Sequence, residues 1–224
     1  MPRYSRGFDV ETAHAHLLRA DRKLGKWMRK IGPIPAEPRW RKRFDVTDAL
    51  ARAILYQQLS GKAASTIVGR VEVAIGSPLL HADTLCRVDD VGIRACGVSG
   101  NKLLALRHLS ARTAAGEIPD LRTMATMHED AIVDALLPTR GIGRWTVEMM
   151  LMFRLGRPDV LPVDDLGIRK GAQVVDDAEA MPTPKALLER GERWGPYRTY
   201  ASMYLWRIAD FGTKTKAPVK RSQG

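Results

Sequence analysis

The stretch Leu136-Leu137-Pro138-Thr139-Arg140-Gly141-Ile142-Gly143-Arg144-Trp145-Thr146 ends one helical pattern, turns on Gly-Ile-Gly and starts another. Gly141 and Gly143 remove side chains where the chain turns tightly and where an anion must approach the backbone. The second helix starts at about Gly143, so its N–H groups without intrahelical acceptors and its positive dipole end face outward. A backbone phosphate is the ligand this geometry expects. The carbonyls of Leu137, Thr139 and Gly141 point the other way around the loop and could hold a monovalent cation. Gly-x-Gly alone is a common helix connection; the flanking Leu-Pro and Arg-Trp-Thr make chance less adequate.

Downstream lies Val163-Asp164-Asp165-Leu166, a carboxylate pair opening a further helix. One aspartate is expected to cap that helix, leaving the other for chemistry. One helix of about three turns and a loop separate Trp145 from Asp165, enough to bring the acid back beside the hairpin.

Helical periodicity recurs through most of the chain, and strand alternation is nearly absent. Residues 9–30 place Val10, Ala13, Leu17, Leu24, Trp27 and Met28 on one face; Gly32-Pro33-Ile34-Pro35-Ala36-Glu37-Pro38 is a linker. Helices are expected from Asp45 or Thr47 to about Leu59, over 61–75, from Ala82 and Val88, and over 100–114 capped by Ser99. Thr126 and Glu129 form a capping box for a helix to Leu137. Later helices start at Arg144, after Asp165, at Pro184 and at Pro196, the last ending near Gly212. The class is all-α, with two helical lobes. Residues 1–44 form a basic N-terminal helix and linker packing on the C-terminal lobe. Residues 45–145 form a central lobe ending in the hairpin, and 146–212 a C-terminal lobe carrying the acid. Residues 213–224 form a basic tail expected to be disordered. A DNA-binding cleft between the lobes would run past the hairpin and Asp165.

The net charge is +11, which points to a polyanionic partner. Residues 1–43 hold 12 Lys/Arg and 4 acids, and residues 212–224 hold 4 Lys/Arg and none, so the rest is close to neutral. The middle must therefore grip phosphate by geometry. No apolar run reaches membrane-spanning length, and no signal-peptide core follows the basic N-terminus. A cytoplasmic protein is expected, nucleoid-associated if the cell is bacterial. Two cysteines, Cys86 and Cys96, cannot build a four-cysteine cluster and read as small buried residues. The five histidines show no ligand spacing, so no metal site beyond the possible Na+ or K+ is expected.

Four ordered segments together resemble the helix-hairpin-helix DNA glycosylase superfamily, over about residues 45–212. They are the hairpin; Leu161-Pro162-Val163-Asp164-Asp165; Ala53-Ile54-Leu55-Tyr56-Gln57-Gln58-Leu59-Ser60-Gly61-Lys62-Ala63-Ala64; and Trp194-Gly195-Pro196-Tyr197-Arg198-Thr199-Tyr200-Ala201 with Leu205-Trp206-Arg207. The last is similar to the C-terminal helix of the alkylpurine branch, the 3-methyladenine DNA glycosylase II type. The resemblance implies Asp165 as the catalytic acid. It implies Trp145, Trp206, Tyr56 and Met149 against an extruded base, while Trp194, Tyr197 and Tyr200 read as core. Contacts to DNA would come from Leu137, Thr139, Gly141, Ile142, Gly143, Arg144 and Thr146 of the hairpin, from Gln58, Leu59, Ser60 and Lys62 of the probing loop, and from Ser99 and Lys102 of a second minor-groove loop. One of Gln58, Leu59 and Ser60 would fill the gap left by the flipped base.

Bifunctional members carry a lysine nucleophile where Trp145 stands, and tryptophan cannot form a Schiff base. Iron–sulfur members carry four C-terminal cysteines, whereas no cysteine follows Cys96. Both departures imply a monofunctional enzyme without cofactor that releases alkylated purines such as 3-methyladenine and 7-methylguanine. It would act on double-stranded DNA, as a monomer. Larger relatives add an N-terminal β-domain; only about 45 residues precede the shared core here, so that domain is expected to be absent and the pocket more open. Two other readings remain: a non-catalytic hairpin module for DNA, and a glycosylase for deaminated or oxidised bases.

Overall fold

The computed structural model describes residues 6–214, with side chains to 211. Thirteen α-helices make up the described residues: α1 Val10–Ala20, α2 Arg22–Ile31, α3 Val46–Tyr56, α4 Gly61–Ile75, α5 Ala82–Leu85, α6 Asp90–Ala95, α7 Gly100–Ala114, α8 Leu121–Met124, α9 Glu129–Leu136, α10 Arg144–Met150, α11 Leu166–Asp176, α12 Pro184–Gly191 and α13 Arg198–Lys214. A π-helical turn, Leu151–Leu155, continues α10. The fold is all-α, as the periodicity predicts. The chain divides into two compact units: one is Lys42–Val147, and the other joins residues 6–41 to residues 148–214.

Short polar residues set most helix starts, because their side chains satisfy amides that no helical carbonyl can reach. Ser60, Ser99 and Thr183 accept from the third residue on, at Ala63, Lys102 and Ala186. Several boundaries differ from the sequence reading. The N-terminal pattern is two helices, split at Asp21, whose extended backbone ends α1 and whose carboxylate caps α2 through Lys23 and Leu24. Helix α3 stops at Tyr56 because Gln58 takes a left-handed conformation, φ 56°. Asp45, not Thr47, caps α3; Thr47 is buried and bonds Thr113. The Thr126 capping box does not form: α8 supplies an extra short helix, the Thr126 hydroxyl donates to the Thr123 carbonyl, and His128 caps α9. The final helix starts at Arg198 and takes in residues 213 and 214; the rest of the expected tail, 215–224, lies outside the described residues. Cys96 is buried but Cys86 is exposed, which corrects the reading of both as core.

The Lys42–Val147 unit buries Leu50, Ile54 and Leu55 of α3, Val68 and Val71 of α4, Leu106 and Leu109 of α7, and Ile132, Val133 and Leu136 of α9. In the other unit α1, α2, α11, α12 and α13 surround Leu17, Leu24, Met28, Ile168, Leu187, Trp194, Tyr200, Tyr204 and Leu205. Trp194 and Tyr200 are core, as expected. Helices α11 and α13 meet most closely at Gly171, where a Cβ would collide with the backbone of Leu205. No residue with a side chain permits that approach, and it fixes where the next turns of α13 lie.

Asp21 does a second job in this core. It is 3% exposed, and its Oδ2 accepts from Arg190 and, at 2.8 Å, from Trp194 Nε1. Arg190 also bonds Asp176 and lies over the Trp194 ring. Burial pushes the Asp21 carboxyl up, but the Arg190 guanidinium with the Leu24 and Trp194 N–H groups outweighs it and holds the group below the usual carboxylate range. The folded value therefore lies under the unfolded one, so this stabilisation is complete above the unfolded pKa of about 3.9 and is lost as pH falls through the folded value. Asp21→Asn should cost about 3–5 kcal/mol at neutral pH, because Arg190 loses a buried partner. In urea denaturation the deficit should narrow below about pH 4; a deficit that is equally large in acid would remove the ion pair as its cause.

Candidate active site and nucleic-acid interface

The hairpin sits between α9 and α10. Leu136 O accepts from Thr139 N at 2.9 Å, Thr139 O from Ile142 N at 3.0 Å, and Gly143 O from the Thr146 and Val147 amides, which starts α10. Gly141 has φ 79°, and a Cβ there would lie 3.0 Å from the Ala105 Cβ. A Cβ on Gly143 would meet nothing within 4 Å. The two glycines thus serve different ends: Gly141 lets the chain turn against α7, and Gly143 leaves an open face at the start of α10. Ile142 and Thr139 are buried, while Arg140, Arg144 and Trp145 are exposed.

Neighbouring helices hold the loop from behind. Arg112 of α7 donates to the Thr139 hydroxyl at 2.7 Å and to the Ala135 carbonyl at 3.2 Å. His108 Nδ1 accepts the Arg140 N–H at 2.9 Å. Gln57 Nε2 donates to the Gly141 carbonyl at 2.8 Å. This last bond ties the hairpin to the probing loop, Gln57-Gln58-Leu59-Ser60. In that loop Gln58, Leu59 and Ser60 are exposed, as are Tyr56 before it and Lys62 after it. The left-handed Gln58 costs about 1–2 kcal/mol of backbone strain, which the bonds around it must offset.

Lys102 supplies two of those bonds. Its Nζ donates to the carbonyls of Leu55 at 2.7 Å and Gln57 at 2.8 Å, the last acceptors of α3. Burial pushes its ammonium below the usual lysine range. A cation in the first turn of α7 opposes that helix's dipole, but the same charge sits favourably at the C-terminal end of α3. That conflict is a signal in the sequence that the side chain is committed elsewhere. Two of its three donors support the loop, and Ser99 caps α7 beside it.

The acid belongs to the other unit. Asp165 caps α11 through Oδ1, which accepts the Ile168 N–H at 2.9 Å. The same oxygen accepts Trp206 Nε1 at 2.9 Å. Asp164 is exposed. The expected division, one aspartate capping and one left for chemistry, is therefore replaced by a single residue that caps the helix and is oriented by an indole. The approach of α13 makes this possible: a Cβ on Gly167 would lie 2.8 Å from Trp206 Cδ1 and 3.1 Å from Asp165 Oδ1.

Trp206 is stacked on Phe153, centroids 5.9 Å apart and 29° between planes. Arg39 lies over Phe153 at 5.5 Å and is itself held by Glu37 through two bonds of 2.9 Å. Phe153 sits in the π-helical turn, whose Met152 carbonyl is taken by Trp40 Nε1 at 2.7 Å. The sequence reading missed Phe153, Arg39, Gln57, His108 and Arg112 in these roles. Only an arrangement of helices brings them to the loop or to the indole. Met149 is partly buried on α10 and Trp145 is 52% exposed. Among the described residues no three His, Cys, Asp or Glu side chains converge as a metal site, and no helix is long and apolar enough to cross a membrane.

One unit thus carries a glycine hairpin leading into a helix start, and the other a carboxylate held at a helix start by an indole. The chain belongs to the HhH-GPD superfamily of base excision DNA repair proteins, whose family model matches residues 51–196. It is 32% identical over 209 residues to DNA-3-methyladenine glycosylase 1 of Schizosaccharomyces pombe, covering 93% of this chain and 91% of that protein. Among solved structures it resembles a DNA-3-methyladenine glycosidase from Bacillus halodurans, at 32% identity, TM-score 0.82, and coverage of 96% of this chain and 95% of the other. It also resembles a 3-methyladenine DNA glycosylase of S. pombe in complex with abasic DNA, at 32% identity, TM-score 0.74, and coverage of 88% and 95%.

The contrast between the two hairpin glycines can be read directly in stability. Gly141→Ala should cost about 1–2 kcal/mol through the left-handed backbone alone, with crowding of Ala105 added. Gly143→Ala should stay within about 0.5 kcal/mol of the parent in urea denaturation. Equal losses at both positions would contradict the open face assigned to Gly143.

Proposed function

We propose that the protein is a monofunctional DNA glycosylase that hydrolyses the N-glycosidic bond of alkylated purines, with 3-methyladenine and 7-methylguanine as its substrate class. The observation that carries this is the Asp165 carboxylate, held on Oδ1 by the Ile168 amide and the Trp206 indole. The substrate class draws support from relatives named for 3-methyladenine at 32% identity over nearly the whole chain.

Cleavage of the bond builds positive charge on the sugar, and the oriented carboxylate stabilises that charge and directs water to the anomeric carbon. A purine alkylated at N3 or N7 is already cationic and leaves as a neutral base, so no strong proton donor is required. An electron-rich aromatic face then matters more than an acid. Trp145, exposed on α10, supplies cation–π attraction to the extruded base, with Tyr56 and Met149 nearby in role. Trp206 contributes by holding Asp165 as well as through its ring.

The hairpin residues Leu137 to Thr146 grip the backbone of one strand through amides at the start of α10, and Arg144 adds charge. One of the strained Gln58 and the exposed Leu59 and Ser60 fills the gap left by the base. Lys62, Ser99 and the remaining donor of Lys102 contact phosphate. The carbonyls of Leu137, Thr139 and Gly141 offer neutral oxygens without a carboxylate, a donor set that suits Na+ or K+. Thr139 and Gly141 already accept one bond each, and a carbonyl has a second lone pair for the ion. The protein acts as a monomer on double-stranded DNA, in the cytoplasm, and on the nucleoid if the cell is bacterial.

Asp165→Asn should reduce release of 7-methylguanine from methylated duplex by at least a hundredfold while duplex affinity stays within a few-fold. An unchanged release rate would take Asp165 out of the mechanism. Borohydride added during turnover should trap no protein–DNA adduct, because Trp145 has no amine to form a Schiff base. A trapped adduct would reveal a lysine nucleophile and a lyase step.

A further inference from the structure

Helix α2 carries charge that neither the hairpin nor the acid uses. Arg22, Lys23, Lys26, Arg29 and Lys30 are five cations within nine residues, and the helix contains no acid. Like charges three and four positions apart repel along a helix. Arg22 and Lys23 also lie in the first turn, where the dipole disfavours them. The nearest carboxylates are largely spoken for: Asp21 is buried on Arg190, and Asp176 is shared by Arg190 and Lys23. Arg22, Lys26 and Arg29 are exposed and have no ion-pair partner among the described residues.

Beside these groups is a surface cavity of about 660 Å³, lined by Lys23, Lys26, Trp27 and Lys30 of α2 and by the last residues of α11 with Asp177. Lys30 lies over the Trp27 ring at 5.0 Å. Asp165 caps the start of α11 and the cavity lies at its end, eleven residues away, about 16 Å along the axis. The basic surface is therefore separate from the acid within the same unit.

We propose that this face of α2 is a second, non-catalytic site for the phosphate backbone of duplex DNA, on a stretch away from the lesion. The spacing favours a polymer over a small ester. Arg22, Lys26 and Arg29 stand at i, i+4 and i+7 on one helix face, spanning about 10 Å. That length faces about three phosphates of one strand, each about 3.4 Å further along the duplex axis. The identity of the polymer rests on the DNA repair reading above. Such a contact would let the enzyme keep hold of DNA while the hairpin releases one site and searches for another.

The triple variant Arg22→Gln, Lys26→Gln, Arg29→Gln tests this and leaves Lys23, Lys30 and the buried Asp21–Arg190 pair in place. Affinity for an abasic duplex of about 40 base pairs should fall at least tenfold at 0.1 M salt, and the slope of log affinity against log salt should flatten by about 2 to 3. On a duplex of about 8 base pairs centred on the lesion, which reaches only about 14 Å to either side, affinity and salt slope should match the parent. An unchanged slope on the long duplex overturns the proposal. An equal change on both lengths also overturns it, by assigning these cations to the lesion-binding surface. Weakened binding of a free nucleoside monophosphate with an unchanged long-duplex slope would replace the polymer by a small phosphate ester. Release of 7-methylguanine by the parent from a methylated duplex is read in parallel. Its absence would refute the glycosylase reading and leave the salt comparison standing.

Discussion

The backbone of Leu205 on α13 packs where Gly171 of α11 has no side chain. This one contact fixes the separation and register of two helices, and the acid depends on both. One helical turn towards the start of α11 lies Gly167, again without a side chain, and Trp206 follows Leu205. The indole therefore arrives within hydrogen-bond reach of Asp165, which caps the same helix. A carboxylate bound by a backbone amide and an indole on one oxygen has little freedom to rotate. Phe153, Arg39 and Glu37 continue the support from the other side of the indole, by stacking and then by an ion pair. The orientation of the Asp165 carboxylate is thus set by packing between helix backbones, which is stiff because protein interiors are close-packed.

The hairpin unit uses another strategy. The hairpin turns at a left-handed Gly141, which glycine permits without strain, while the probing loop holds Gln58 in the same region at a cost in free energy. Hydrogen bonds to Arg112 and His108 of α7 and to Gln57 of the probing loop hold the hairpin, and Lys102 holds the probing loop. Gln57 belongs to both sets: its side chain reaches Gly141 while its carbonyl receives Lys102. The hairpin and the loop are consequently one bonded assembly. Placing polar contacts behind the loop leaves the outward face, at Gly143 and the start of α10, uncluttered for a ligand.

Charge is distributed in keeping with this division. The middle of the chain is close to neutral, so it offers a polyanion shape and oriented amides more than bulk charge. The surplus of lysine and arginine sits near the N-terminus, on helices that pack with α11 and α13. Electrostatic attraction acts over about 8–10 Å at ordinary salt, so a cationic helix can serve a polyanion without taking part in the chemistry.

The sequence by itself determined the class, most helix boundaries and the local chemistry. Periodicity of 3.6 residues, cap residues such as Ser60, Ser99 and Thr183, and the Gly-Ile-Gly turn act over a few positions, so they can be read from neighbours in the chain. Asp165 was legible as a cap candidate for the same reason. Where local signals competed the reading failed: Asp21 split a helix because its carboxylate serves both a cap and a buried arginine, and His128 displaced Thr126 once α8 formed. The tertiary structure alone decided what Asp165 is bonded to, that Lys102 supports α3 rather than standing free, and that Phe153, Gln57, His108 and Arg112 matter. Those pairings join residues up to 114 positions apart, Arg39 to Phe153, and they exist only once glycine-sized contacts have fixed how closely the helices pack. No local propensity encodes that distance.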